Sequence, residues 1–334
     1  MSEYDEIAVI GSGSLTVKVA EYLAGLGRQV TRVSIIELAV LSRRHAQPDS
    51  GFREVRLPRA DVADFLLRRA HDHDRRKAHP GGKPYLVLSV ENLFVFPKEL
   101  VCDPCLEIIN YHNSLLPRHR GMYAEAWAIF DGDAEVGFTW HRVEPSVDSG
   151  DMIVQHTVPS TPRDTSLALL RNCSKRALAS FQTFFRPYEL GILQLMDQEP
   201  AGLSDRGRMS HHHATDRPNG GVLDTRWELP KISAFLRSFD YGKLGYLGSP
   251  TVDIAGRPCT WNAYQIAGDI PLPCTTSDEA PVRRTPRPPR CLVDHMRRRI
   301  VFEDEDGRSM TLEGIEHIHR DQHDEKEQHE RLSV

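Results

Sequence analysis

The run Glu6 to Ile10 ends in Gly11-Ser12-Gly13-Ser14-Leu15 and constrains the fold more than any other stretch. An apolar stripe follows at Val17, Val19, Ala20, Leu23 and Ala24, the spacing of one helix face, and it closes at Gly27. Val30 to Ile36 is then strand-like again. Strand, glycine turn, helix and strand make a βαβ unit, whose right-handed crossover requires a parallel sheet covered by helices. The expected class is therefore α/β, a Rossmann-like, mostly parallel sheet with flanking helices. The glycines resemble a dinucleotide fingerprint with Glu37 near the place of a ribose-binding acid, but Thr16 stands where a third glycine is needed. A tight strand-to-helix turn is the preferred reading, and an NAD(P)-dependent oxidoreductase is the competing one.

A chain of 334 residues is long enough for two domains. Its 40% hydrophobic and 27% charged residues are those of a soluble globular protein, with no run near the roughly 20 apolar residues a membrane span needs. The N-terminus lacks a basic region before its first apolar run and six cysteines occur in all, which together read as a cytoplasmic protein with free thiols. A net charge of −5 and a pI near 6.3 offer no basic face and argue against a nucleic-acid partner. A homodimer is left open.

Three polar side chains stand out between Ile108 and Gln155. Asn110 and His112 follow an apolar run and, two residues apart on a strand, share a face. Asp148 lies in the loop after a second apolar stretch, Val136 to Trp140, so an amide, an imidazole and a carboxylate can converge from two strand ends of one sheet. Such a set suits an amine attacking a carbonyl-type carbon. Asn110 and His112 would donate hydrogen bonds to the developing oxyanion, while Asp148 would orient His112, raise its pKa and hold a proton-relaying water. Ser114 has no elbow motif and the segment has no cysteine, so direct transfer is preferred to a covalent route. Taken singly, Asn110 reads as a turn cap, His112 as a satisfied core histidine and Asp148 as a turn residue.

Elsewhere the bland readings win. His71, His73 and His79 lie in a charged stretch without regular ligand spacing, and His211-His212-His213 cannot all face one ion on regular backbone, so no metal site is expected. Cys102 and Cys105 form a lone CxxC with no second pair. Asp164 or Thr165 caps a helix whose core face is Leu169, Cys173, Ala177, Phe181 and Phe185, and Trp227 to Phe239 is helical with Pro230 in its first turn. Strand-like pieces at Thr251–Ile254, Thr260–Ile266, Cys291–Val293, Arg299–Phe302 and Met310–Leu312, with a hairpin turn at Asp304–Gly307, make a small β-rich domain. The expected division is a catalytic domain over 1–195, a linker over 196–221, the β-rich domain over 222–320 and a charged tail over 321–334, with a Pro/Arg-rich loop at Thr275–Arg290.

The stretch Asn110, His112, Ser114–Pro117, Arg120–Gly121, Trp127–Ile129, Gly137, Thr139 and Asp148–Asp151 strongly resembles the folate-dependent formyltransferase family. The resemblance is specific over about fifty residues and looser over the rest of 1–190. It implies 10-formyltetrahydrofolate as co-substrate and Asn110, His112 and Asp148 as the catalytic trio. It also implies a pterin lying against Leu93, Val95 and Phe96 and against the loop bearing Val143 and Val147, and a glycine turn that binds no dinucleotide. The flanks are unlike the methionyl-tRNA branch and resemble stand-alone or peptide-synthetase-type formyltransferases of secondary metabolism. The acceptor implied is the primary amine of a small metabolite: an amino sugar, an aminoglycoside-like antibiotic intermediate or an amino acid derivative. Tyr123, Glu125 and Trp140 are candidates for the acceptor side, weighed against packing. A formimidoyl or related one-carbon unit is the alternative cargo, and a non-catalytic folate binder the alternative role.

Overall fold

The computed structural model describes residues 4, 6–36, 51–76, 82–198, 209–270 and 287–318. Glu37, His79, most of the Pro/Arg-rich loop and the charged tail lie outside these. Two compact units result, one of residues 1–124, 135–159 and 170–214, the other of 125–134, 160–169 and 215–334. Two stretches inside the expected catalytic domain, 125–134 and 160–169, thus pack with the C-terminal unit.

In the first unit the βαβ expectation holds. Strands β1 (Glu6–Ile10), β2 (Gln29–Ile35), β3 (Arg53–Leu57), β4 (Tyr85–Ser89) and β5 (Leu106–His112) pair in parallel. Helices α1 (Ser14–Gly25), α2 (Val62–Arg76) and α3 (Lys98–Val101) lie between them in the chain. The two-residue β6 (Arg120–Gly121) and helix α4 (Ala124–Asp131) precede β7 (Val136–Arg142) and β8 (Met152–Val158), which complete the sheet in the order β3-β2-β1-β4-β5-β7-β8. Strands β1 and β4 are buried along their whole length, as central strands of a doubly covered parallel sheet must be.

Helix α5 (Ser166–Glu189) begins where Thr165 accepts the Ala168 N–H through its hydroxyl at 3.3 Å. All five residues of its expected core face are buried. Phe181 and Phe185 stack at 4.9 Å, and Trp140 lies 5.2 Å from Phe181 and 5.6 Å from Phe184. The i, i+4 stripe read from the sequence is thus the contact between α5 and the β7 face bearing Phe138 and Trp140.

The segment expected to be a linker contributes β9 (His211–His212), paired in parallel with β6. The C-terminal unit holds β10 (Val222–Leu223), α6 (Leu229–Phe239), β11 (Thr251–Ile254), β12 (Arg257–Thr260), β13 (Ala263–Ala267), β14 (Arg290–Asp294), β15 (Arg299–Glu303), β16 (Ser309–Glu313) and β17 (Glu316–His317). They form two four-stranded sheets, β10-β11-β12-β17 and β13-β16-β15-β14. The expected single strand Thr260–Ile266 is two strands belonging to different sheets, divided around Trp261 and Asn262, a break that apolar patterning alone does not mark. The Asp304–Gly307 turn is present, with the Gly307 N–H donating to the Asp304 carbonyl at 3.1 Å.

Candidate active site

Strand alternation places Asn110 and His112 on one face of β5, while the antiparallel register sets Asn110 opposite His141 and His112 opposite Thr139. Tyr111 and Trp140 take the opposite face, toward α5. The turn Ser114–Pro117 is stitched to β7 by the Thr139 hydroxyl. That hydroxyl donates to the Ser114 carbonyl at 2.7 Å and accepts from the Leu116 N–H at 3.3 Å and from Gln155 at 3.0 Å. The Ser-Leu-Leu-Pro and Gly-x-Thr pieces of the sequence pattern are therefore one packed unit.

Asp148 arrives differently from the expectation of two neighbouring strand ends. Strand β7 runs against β5, so the loop after it begins beside Ile108, where the Val143 N–H donates to the Ile108 carbonyl at 2.8 Å. The loop returns across the face carrying Asn110, His112 and His141. There Asp148 Oδ1 accepts from Asn110 Nδ2 at 3.3 Å, and Oδ2 accepts the Gly121 N–H at 2.8 Å. His112 Nδ1 stands 3.5 Å from Asp148 Oδ2, and His141 Nε2 stands 3.4 Å from Oδ1 and 3.1 Å from Asn110 Nδ2. The trio singled out from sequence is thus brought together, with His141 as a fourth member. Alternation along β7 from Thr139 carries a signal for His141, but only the register shows that it meets Asn110.

The electrostatics depart from one expectation. Burial lowers the His112 pKa and outweighs the opposing pull of Asp148, so the ring is neutral near pH 7 and its pKa is not raised. Burial pushes Asp148 the other way, but the imidazoles of His112 and His141 and the Gly121 N–H hold its carboxyl well below the usual range. An ionised carboxylate therefore faces a neutral imidazole. The second ring nitrogen of His112, Nε2, donates to the His119 carbonyl at 2.8 Å. It is not free for an oxyanion, which leaves Asn110 as the donor of the pair.

Phe96 and Val143, with Phe94, pack against one apolar cluster that includes Val87 and Ile108. The loop before Pro97 is held by Asn92, which accepts the Phe94 N–H at 3.0 Å and donates to the Ser89 hydroxyl at 3.1 Å. Leu93 is half-buried, Val95 is 69% exposed and Val147 is exposed, so this loop pair presents apolar surface to solvent. Tyr123 is half-buried in a left-handed backbone conformation, φ 58°. Glu125 is buried and accepts the Tyr241 hydroxyl at 2.7 Å. Trp140 requires correction: fully buried among Tyr111, Phe181 and Phe184, it is a core residue with no surface to offer an acceptor.

The glycine turn is closed to a pyrophosphate by Glu91. Its carboxylate accepts the Leu15 N–H at 2.9 Å, the position in the first turn of α1 where a phosphate would sit, and also accepts from Ser174 at 2.8 Å. A Cβ on Gly13 would come within 1.8 Å of that carboxylate, so the glycine makes room for an internal anion. Thr16 donates to the Val90 carbonyl at 2.6 Å, an anchoring role for the residue that breaks the fingerprint. Among the described residues, the glycine turn therefore gives a dinucleotide's phosphates no seat.

Of the remaining clusters, His211 and His213 are exposed and face each other at 4.9 Å, while His212 is buried, so the three do not converge. His71, Asp103 and Cys105 bring donor atoms within 4.8 Å of one another, with His71 paired to Asp103 at 2.8 Å. No helix among the described residues is long and apolar enough to cross a membrane.

An amide, a neutral imidazole and a largely buried carboxylate thus meet on one face of the sheet, with His141 beside them. Residues 7–181 match the family model described as formyl transferase. The chain is 25% identical over 259 residues to the GDP-perosamine N-formyltransferase of Brucella melitensis, covering 74% of this chain and 93% of that one. It is 40% identical over 107 residues to the methionyl-tRNA formyltransferase of Koribacter versatilis, covering 32% and 34%. Its fold is shared with an N-formyltransferase of Helicobacter canadensis solved with folinic acid and dTDP-3-aminofucose, at TM-score 0.59 and 14% identity over 94% of this chain and 99% of that one. The chain belongs to the formyl transferase family and is a folate-dependent N-formyltransferase.

Proposed function

We propose that the protein moves the formyl group of 10-formyltetrahydrofolate to the primary amine of a nucleotide-linked amino sugar. The observation that carries the acceptor class is the span of the match to GDP-perosamine N-formyltransferase, 93% of that enzyme, against 34% of the methionyl-tRNA relative. The net charge of −5 agrees with it, since a tRNA acceptor calls for a basic surface.

In this reading the acceptor amine attacks the formyl carbon as its free base, and the Asn110 amide donates to the oxyanion as the tetrahedral centre forms. His112 takes the proton that the attacking nitrogen loses. Its ring is neutral and faces Asp148, whose ionised carboxylate stabilises the imidazolium that results. As the C–N10 bond breaks, the proton goes to N10 and tetrahydrofolate leaves, so the exchange is R–NH2 plus formyl–N10 giving R–NH–CHO plus H–N10. Leu93, Val95, Phe96, Val143 and Val147 supply the apolar bed for the pterin, and Tyr123 lies on the acceptor side.

Incubation with 10-formyltetrahydrofolate and a panel of GDP-, UDP- and dTDP-linked amino sugars tests this. Release of tetrahydrofolate matched by a formyl-sized mass gain on one sugar is expected. Turnover with methionyl-tRNA alone would overturn the acceptor assignment.

A further inference from the structure

The histidines of the expected linker do not sit idle behind the site. We propose that His212, with Ser210 and His119, is a positioning layer that fixes which ring nitrogen of His112 faces Asp148. This rests on the reading of His112 given above.

His119 adopts a left-handed conformation, φ 53°, which a non-glycine residue keeps only where its surroundings hold it. Its backbone N–H donates to the Ser210 hydroxyl at 3.0 Å, and the next N–H, of Arg120, donates to the Ser210 carbonyl at 2.9 Å. Its ring is buried and stacks on His212 at 5.4 Å and 23°, with Nδ1 at 3.2 Å from His212 Nε2 and 3.2 Å from Ser210 Oγ. Held this way, its carbonyl faces His112 Nε2 at 2.8 Å.

A carbonyl only accepts, so His112 Nε2 carries the proton and Nδ1 carries the lone pair. Nδ1 is the nitrogen beside Asp148. The opposite tautomer, with Nδ1–H donating to the carboxylate, makes a charge-assisted bond and would be preferred without the carbonyl. It would also leave no base on the Asp148 side. The His119 carbonyl thus keeps Nδ1 empty until a proton arrives, and Asp148 then holds the product.

The same strap reaches Asp148. The Met122 N–H donates to the His212 carbonyl at 2.9 Å, bracketing Gly121, whose own N–H holds Asp148. Gly121 sits at φ 89°, and a Cβ there would come within 2.2 Å of the His212 carbonyl. Gln198 adds a further tie, donating to the Asp148 and Gly150 carbonyls at 2.9 and 2.7 Å while accepting from Arg120 at 2.8 Å. One strap therefore sets both partners of the His112–Asp148 pair.

The test is the tautomer of His112 in the full-length, substrate-free protein, read by NMR on 15N-histidine-labelled samples and assigned by the signal missing from His112→Asn. Wild type should show the Nε2–H form. His212→Ala should show a mixture with Nδ1–H, a kcat lower by on the order of 10- to 100-fold at unchanged KM for folate, and an acid limb of the pH profile moved to lower pH. His212→Gln, which keeps an amide opposite His119 Nδ1, should restore much of both. An unaltered tautomer and pH limb in a folded His212→Ala protein would overturn the proposal, whatever happens to its melting temperature, and so would a folded His212→Gln protein whose tautomer and rate are as far from wild type as those expected for His212→Ala. Because the tautomer is read without substrates, failure of the proposed reaction would not produce that result.

Discussion

Burial and a carboxylate pull His112 in opposite directions, and burial wins. The folded protein therefore binds fewer protons at His112 than the unfolded chain once pH falls below the ordinary histidine value of about 6.5. Acidification through that window costs stability and removes the neutral base together, so kcat should fall on an acid limb below about pH 6.5. An acid limb at or above that value would contradict the direction of the shift. Asp148 acts in the same direction: its lowered pKa stabilises the fold above the ordinary carboxylate range, and that contribution is lost as pH falls through it. His112→Asn and Asp148→Asn should each lower kcat by about 100- to 10,000-fold, the usual worth of a positioned acid–base group, with circular dichroism unchanged. Sequence made Asn110 and His112 legible because period-two alternation is local. His141 and the His119 carbonyl were not, because register between β5 and β7 and a left-handed turn are set by tertiary partners.

At the scale of elements, the glycine turn and the central strands illustrate what patterning can and cannot convey. The βαβ opening and the face of α5 follow from spacing alone, and the structure reproduces them. Glu91 as the anion at the start of α1 comes from 76 residues away and has no local signal. Its removal leaves the Leu15 N–H and the Ser174 hydroxyl without their acceptor, so Glu91→Ala should cost about 1–3 kcal/mol in denaturant unfolding while leaving no nucleotide binding in its place. Trp140 teaches a related lesson. Its neighbours in sequence are site residues, but alternation sends it to the other face. Trp140→Ala should lower stability by about 3–5 kcal/mol, with the KM for the acceptor unchanged in whatever remains folded. A raised KM without loss of stability would return it to the acceptor side.

At the scale of the molecule, the chain order misleads. Residues 125–134 and 160–169 pack with the C-terminal unit, and 209–214, expected in a linker, pack with the catalytic one. A passive linker would leave the site unsupported; instead Gln198, Ser210 and His212 brace it. The sequence carried the identity of the reaction because its short pieces of motif lie within about fifty residues, and the fold ties Gly121 to Asp148 and Thr139 to Ser114. It carried the acceptor far less, since acceptor contacts are made by flanks that patterning does not mark. The most direct test is tetrahydrofolate released per formylated sugar when wild type and Asp148→Asn are run side by side on nucleotide-linked amino sugars. The account predicts one-to-one release with at least one such sugar and a loss of about 100-fold or more in the variant. Equal rates for the two proteins, or no release with any amino sugar, would contradict it.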